Sequence, residues 1–412
     1  MRARRPIRAS LLVAALVSFL PVAGPAHAER FSVKTLSNPN DTVSEFRPRM
    51  AGGMIVWQRG SGAFSEVMMW DGTATVPLSA NGVADENPET DGIHVVWQQG
   101  STGSRDIAVY DRITQAVTVL TAPGDQILPV VFGATIAWVQ MVDADGEVFI
   151  EPGPIGNQLT GNLLVESDLS LDGENLVFVQ GDDLHQTPGT ADDPHDIGIW
   201  NALLHEFYIL GSPANDDVNP SVAGNTIVWQ VGADGSGGIW IGDTVGSLNQ
   251  LYPGTNDRNP FTDGTVVVWD HFDGSDRDIY KINLASPNVV SFVTTDNSGD
   301  DVTPKLFGND IVWVHESTPG DSEIWISRNG APGAPIAQTV GNGRDEIDPL
   351  FDGDAIVWES CTNLGQPNEL CDVQLAPEPR ATLLAAATLS LLAGLATRSA
   401  RRAQRIASRS AR

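Results

Sequence analysis

The chain has 412 residues, 52 of them acidic and 24 basic, for a formal net charge of −28. So acidic a surface repels nucleic acid and anionic membranes, and it suits high salt, divalent cations or basic partners. The only two cysteines, Cys361 and Cys371, offer no zinc-ligand spacing.

The elements follow in chain order. Arg2, Arg4, Arg5 and Arg8 precede an apolar run from Leu11 to Leu20, and Ala26-His27-Ala28 forms an A-x-A cleavage site. Residues 1–28 therefore read as a secretory signal peptide, with the Sec translocon and signal peptidase as partners and a mature chain beginning near Glu29. Arg4-Arg5 lacks the rest of a twin-arginine motif.

Residues 29–375 are then expected to be one repeat domain. Trp57, Trp97, Trp138, Phe178, Trp229, Trp269, Trp313 and Trp358 lie 40, 41, 40, 51, 40, 44 and 45 residues apart. Each has a glycine five residues before it, and all but Phe178 have a proline nine before. A period of 40–45 residues with several strands per unit predicts an all-β, eight-bladed propeller of four-stranded antiparallel blades. In residues 85–121 the strands read as Glu89–Thr90 after Pro88, then Ile93–Gln98, Asp106–Tyr110 and Ala116–Leu120. Proline cannot donate to a ladder, so Pro88 is placed at the strand's first residue. One large side chain per unit at a fixed place is expected to pack neighbouring blades together.

The third strand recurs as Glu66-Val-Met-Met-Trp70, Asp196-Ile-Gly-Ile-Trp200, Asp278-Ile-Tyr280 and Glu323-Ile-Trp-Ile326, among others. With the Asp-Gly turn ahead of an apolar strand, this pattern resembles the TolB-like propeller repeat, without that repeat's Ser-Pro. The eighth unit stops before a fourth strand, while Phe31–Leu36 precedes the first unit and reads like a fourth strand. Pairing residues 31–36 beside Asp372–Leu375 would close the ring and remove an open edge.

Three features bear on chemistry. The fourth unit inserts a loop whose Asp182, Asp183, Asp192, Asp193 and Asp196 are candidate oxygen ligands for calcium, outside any EF-hand spacing. Asp85, Asp125, Asp217, Asp257, Asp301 and Asp345 precede first strands. Glu66, Asp106, Glu147, Asp196, Asp278, Glu323 and Asp372 precede third strands. Both sets are expected on one face, either as cation ligands or capping their own turns through backbone N–H groups. Cys361 and Cys371, expected just after the second and just before the third strand of the last unit, are expected to form a disulfide in an exported chain.

The C-terminus, residues 376–412, carries Pro377-Glu378-Pro379, an uncharged stretch from Ala381 to Thr397, and six further arginines. In that order it resembles a PEP-CTERM sorting signal. The resemblance implies an exosortase partner, a short transmembrane helix and a Gram-negative cell exporting the chain to its envelope, surface or surroundings. Four arginines lie before residue 29 and seven from Arg380 on, so between the two ends 13 basic residues face 52 acids, a net −39.

No Gly-x-Ser-x-Gly elbow, P-loop or dinucleotide fingerprint is present. His271 and His315 each follow a repeat tryptophan by two residues and read as polar strand-end positions. The leading expectation is a non-enzymatic exported propeller binding a polysaccharide or surface protein. The alternative is a metal-dependent polysaccharide lyase or hydrolase, for which the sequence shows no histidine set.

Overall fold

The computed structural model describes residues 31–38, 42–142, 145–152, 158–161, 164–183, 195–201, 204–211, 216–232, 235–295, 298–366 and 369–377. They form eight antiparallel sheets. Blade 2 is representative: Asp85–Thr90, His94–Gln99, Asp106–Asp111 and Ala116–Leu120 lie side by side in chain order. First strands of neighbouring blades touch all the way round, including blade 8 against blade 1, so they line the axis. The fourth strands form the outer wall, where Val117, Val119, Phe207 and Ile209 are exposed.

Each repeat aromatic is the wedge between its own blade and the one before. Trp97 packs with Met54, Val56 and Val67 of blade 1. Trp229 packs with Val177 and Ile197 of blade 4, and Trp57 with Val357 and Val373 of blade 8. A buried tryptophan of this kind is worth about 3–5 kcal/mol against alanine.

The first strand differs from expectation. It begins at Asp85, and Pro88 lies in its interior. Asn87 and Pro88 together face the single residue Trp97, because Glu86 pairs with Gln98 and Glu89 with Val96. The same two-against-one bulge faces the aromatic in every blade. A bulge leaves a residue out of the ladder, so the missing N–H of proline costs nothing there. Gly92 then turns the chain at φ 90°, where an added Cβ would stand 2.9 Å from the Ala51 carbonyl oxygen.

Blade 8 is closed from the far end of the chain. Lys34 pairs with Leu375 and Thr35 with Gln374, and the Leu36 N–H donates to the Val373 carbonyl at 2.9 Å. Phe31 and Leu36 are buried in the clusters of blades 7–8 and 8–1. Cys361 and Cys371 form a disulfide, and they pair directly inside strands Ala355–Thr362 and Leu370–Pro377 rather than flanking them. Blade 3 departs from four strands: among the described residues its fourth strand is reduced to one bridge between Phe149 and Gln158. The described residues contain no helix long and apolar enough to cross a membrane. Residues 1–28, expected to be a signal peptide, lie outside them, as do Glu378, Pro379, the apolar run 381–397 and the arginine tail.

Candidate binding channel and acidic rim

Counting back twelve residues from each aromatic gives Glu45, Asp85, Gln126, Glu166, Asp217, Asp257, Asp301 and Glu346. Each pairs across to the residue two places after the aromatic, as Asp85 does with Gln99 and Asp257 with His271. That residue pairs onward to the start of the third strand, Gln99 to Asp106 and His271 to Asp278. Both acid sets therefore share one end of each blade.

In five blades the acid twelve before the aromatic holds that aromatic, whereas Asp125 accepts the Arg105 backbone N–H at 2.8 Å. The indole N–H donates to the carboxylate in blades 1, 2, 5, 6 and 7: Trp57 to Glu45 at 2.8 Å, Trp97 to Asp85 at 2.7 Å, Trp229 to Asp217 at 2.9 Å, Trp269 to Asp257 at 2.9 Å and Trp313 to Asp301 at 2.7 Å. His271 and His315 reach the same acids through Nδ1 at 2.8 Å. They are rung partners of a buried carboxylate, which gives their recurrence a structural cause. Burial pushes Asp85 and Asp257 upward, against the hydrogen bonds from Gln99, Trp97 and His271. Asp125 and Asp345 stand one residue out of register with this set. Asp125 instead takes a bidentate contact from Arg105, at 3.0 and 2.7 Å. In the second set, Glu66 and Glu147 accept from hydroxyls at the outer edge, Ser79 at 2.7 Å and Thr160 at 2.6 Å.

At the axis, the residue ten before each aromatic has left-handed backbone: Arg47, Asn87, Leu128, Asp168, Asn219, Asn259, Thr303 and Asp348, with φ of 48–55°. Non-glycine residues adopt this region rarely, asparagine and aspartate most readily, and they gather at binding sites. In five blades the exposed N–H is caught by a side chain of the preceding blade. Gln58 accepts from Asn87 at 3.2 Å, Gln98 from Leu128 and Gln230 from Asn259 at 3.3 Å, and Asp270 from Thr303 at 3.4 Å. Glu359 accepts from Arg47 at 2.6 Å and so joins the last blade to the first.

Five of these residues, Asp168, Asn219, Asn259, Thr303 and Asp348, line an axial channel of about 530 Å³ together with Arg49 and Lys305, with Pro220, Pro260 and Pro349 between them. Arg49 is paired with Glu89, whose charge holds its guanidinium above the usual value. Lys305 is surrounded by protein while still touching the channel. Burial there, with the nearby Arg49 charge, pulls its ammonium down to about 8 against the attraction of Asp348. Its Nζ lies 4.7 Å from the Phe261 ring centroid. Burial pushes Glu359 up to about 7, against the Arg47 N–H.

Of the five expected calcium ligands, Asp196 is the first residue of a third strand and is half-buried, and the backbone of Asp182 and Asp183 ends the second strand. Asp192, Asp193 and the side chains of Asp182 and Asp183 lie outside the described residues. Among the described residues two other groups have metal-ligand proximity: Glu359 with Cys361 and Cys371, and Asp273 with Asp276 and Asp278. The disulfide takes the thiolates of the first group out of metal chemistry. Sequence reasoning named Asp85, Asp217, Asp257 and Asp301 but missed Glu45, Gln126, Glu166 and Glu346, and with them the fixed spacing of twelve that holds in all eight units. It also missed the left-handed ring, which the Asn-Pro pairs at 87–88, 219–220 and 259–260 signal.

No protein-family model matches the chain, and no curated protein matches it either. Solved structures do. The computationally designed Ika8 protein has a TM-score of 0.54 at 13% identity, over 82% of this chain and 98% of its own. An oligogalacturonate lyase solved with manganese has 0.51 at 13%, over 86% and 96%. A prolyl endopeptidase has 0.51 at 12%, over 79% of this chain and 55% of its own, so this chain spans about half of that enzyme's length. At these identities the likeness is one of fold, the β-propeller.

Proposed function

We propose that the chain is an exported, non-enzymatic propeller that binds a neutral polysaccharide of the cell envelope or extracellular matrix in its axial channel. The channel wall carries this reading. It sets amides (Asn219, Asn259), carboxylates (Asp168, Asp348), a hydroxyl (Thr303) and cations (Arg49, Lys305) around about 530 Å³. Sugar hydroxyls both donate and accept, and such a wall offers both kinds of partner on rigid inner strands. Arg49 and Lys305 balance Asp168 and Asp348, so the lining is near neutral within a strongly acidic molecule. An uncharged ligand enters without the repulsion that an acidic one meets.

Export is supported by the charged, apolar and A-x-A segments of residues 1–28. Surface display is supported by Pro377-Glu378-Pro379 with the apolar and arginine-rich segments behind it. An exosortase is the partner this arrangement implies, and the disulfide fits an oxidising compartment. The purified chain is expected to bind neutral polysaccharides on a glycan array and to release no reducing ends from them, with or without EDTA. Metal-dependent product would replace this reading with a polysaccharide lyase or hydrolase built on the same fold. An array with no neutral ligand would remove the channel as its basis.

A further inference from the structure

A second site is independent of the channel. The turn between the second and third strands of blade 6 brings one oxygen each of Asp273, Asp276 and Asp278 within 4.8 Å of one another. Asp276 is 7% exposed and Asp278 is 3% exposed. Among the described residues neither carboxylate oxygen of Asp276 has a hydrogen-bond partner, and nor does Oδ1 of Asp278. Buried polar atoms are almost always satisfied, and buried carboxylates are paired or coordinate a metal.

The nearby bases are turned elsewhere. The Arg277 guanidinium, next in sequence to Asp276, donates to Asp270 at 2.5 Å and to the Asn256 carbonyl at 3.1 Å, while its backbone N–H donates to Asp300 at 2.9 Å. His315 is held by Asp301 at 2.8 Å. The turn itself is ordered from within: the Asp273 N–H donates to the Asp276 carbonyl at 3.1 Å, and the Ser275 N–H to Asp273 Oδ1 at 2.8 Å. What remains, among the described residues, is a concentration of negative charge with three oxygens within 4.8 Å of one another and no cation from the protein.

We propose that Asp273, Asp276 and Asp278 bind a calcium ion, which clamps the blade 6 turn against the start of blade 7. Calcium takes hard oxygen ligands at about 2.4 Å, so oxygens on one ion stand up to roughly 4.8 Å apart, and the three oxygens here fall within that limit. Magnesium holds its ligands closer, in a stricter octahedron, and is expected to bind more weakly. Blade 7 begins with Asp300 and Asp301, whose charges face the same site. An ion there replaces repulsion across the blade 6–7 seam with attraction.

The test uses the full chain, stripped with EDTA and exchanged into 150 mM salt at about pH 8. Calcium is expected to raise the melting temperature, magnesium less so, and terbium to give luminescence sensitised by nearby aromatics such as Tyr280. Asp276→Asn is expected to abolish the terbium signal at this site and most of the calcium-induced shift. It should itself melt above the metal-free wild type, since it removes a buried unpaired charge. Asp273→Asn, on the exposed part of the turn, gives a second reading should Asp276→Asn fold poorly. Terbium binding and calcium stabilisation that persist undiminished in Asp273→Asn overturn the proposal, as does a wild-type chain indifferent to calcium.

Discussion

Blades 2 and 8 follow one plan and are held in different ways. In blade 2 the Trp97 indole is locked to Asp85 at 2.7 Å, and Gln99 donates to the same oxygen at 2.9 Å. In blade 8 the Trp358 indole N–H has no hydrogen-bond partner among the described residues. The equivalent acid, Glu346, is taken instead by Ser360 and Asn342, both at 2.9 Å. Blade 8 is also the blade with the Cys361–Cys371 disulfide and the strand returned from residues 34–35. Where the local latch is missing, the ring is held by a covalent bond and by closure from the other end of the chain. The comparison teaches that blade 2 is stabilised from within its own repeat, and blade 8 from outside it.

Four experiments sharpen that contrast, from the largest expected effect downward. Deleting residues 29–38 removes the closing strand and the burial of Phe31 and Leu36, at a cost of at least about 4 kcal/mol. One cooperative unfolding transition at a lower urea midpoint is expected; loss confined to blade 8 would show that the ring does not depend on closure. Replacing Cys361 and Cys371 by serine should cost roughly 2–3 kcal/mol. Equal stability of the oxidised wild type and the serine pair would contradict the role given to the disulfide. Asp85→Ala should cost about 1–3 kcal/mol by leaving the Trp97 and Gln99 donors unpaired. Asp85→Asn keeps an acceptor oxygen and should cost far less; equal losses in the two variants would mean that charge, not the hydrogen bonds, holds blade 2.

The smallest effect is one of pH. Glu346 and Glu359 are each pushed up to about 7, chiefly by burial, from the ordinary glutamate value of 4.5. A carboxyl raised in the folded state binds its proton more tightly there than when unfolded. Its contribution is full below about pH 4.5 and is lost as pH rises through about 7. The EDTA-treated chain should therefore melt higher at pH 5 than at pH 8, and Glu346→Gln should flatten that slope. A slope of the opposite sign would mean that these carboxylates are stabilised as anions.

The ring was legible because its signals are local and repeated. The aromatic, the glycine five before it and the strand alternation stand in every unit, and Phe31–Leu36 was readable as the strand the eighth unit lacks. The position of Pro88 was misread because propensity places proline at a strand's start, while the bulge that admits it depends on Trp97 from the next strand. The rim was seen as acidic, but its purpose was not. That Asp85 serves the Trp97 indole follows from a cross-strand register, which spacing alone does not display. The turn at Asp273–Asp278 was only partly visible, since Asp278 read as one member of a periodic set and its burial beside Asp276 is a tertiary fact. The channel was invisible in the sequence, because its lining comes from six strands of different blades meeting at an axis.

The central functional claim is that the axis binds sugar, and Asn219→Gly tests it most directly. Glycine adopts the left-handed backbone of Asn219 freely, so the variant removes the amide from the channel wall while the turn of the chain is kept. Titrating a neutral polysaccharide into the full chain by calorimetry, beside Asn219→Gly and Lys305→Met, reads affinity and melting temperature on the same samples. The account expects saturable binding to the wild type, at least tenfold weaker in both variants, about 1.4 kcal/mol or more, with melting temperatures little changed. Undiminished affinity in both variants would place the ligand elsewhere on the propeller and contradict the account.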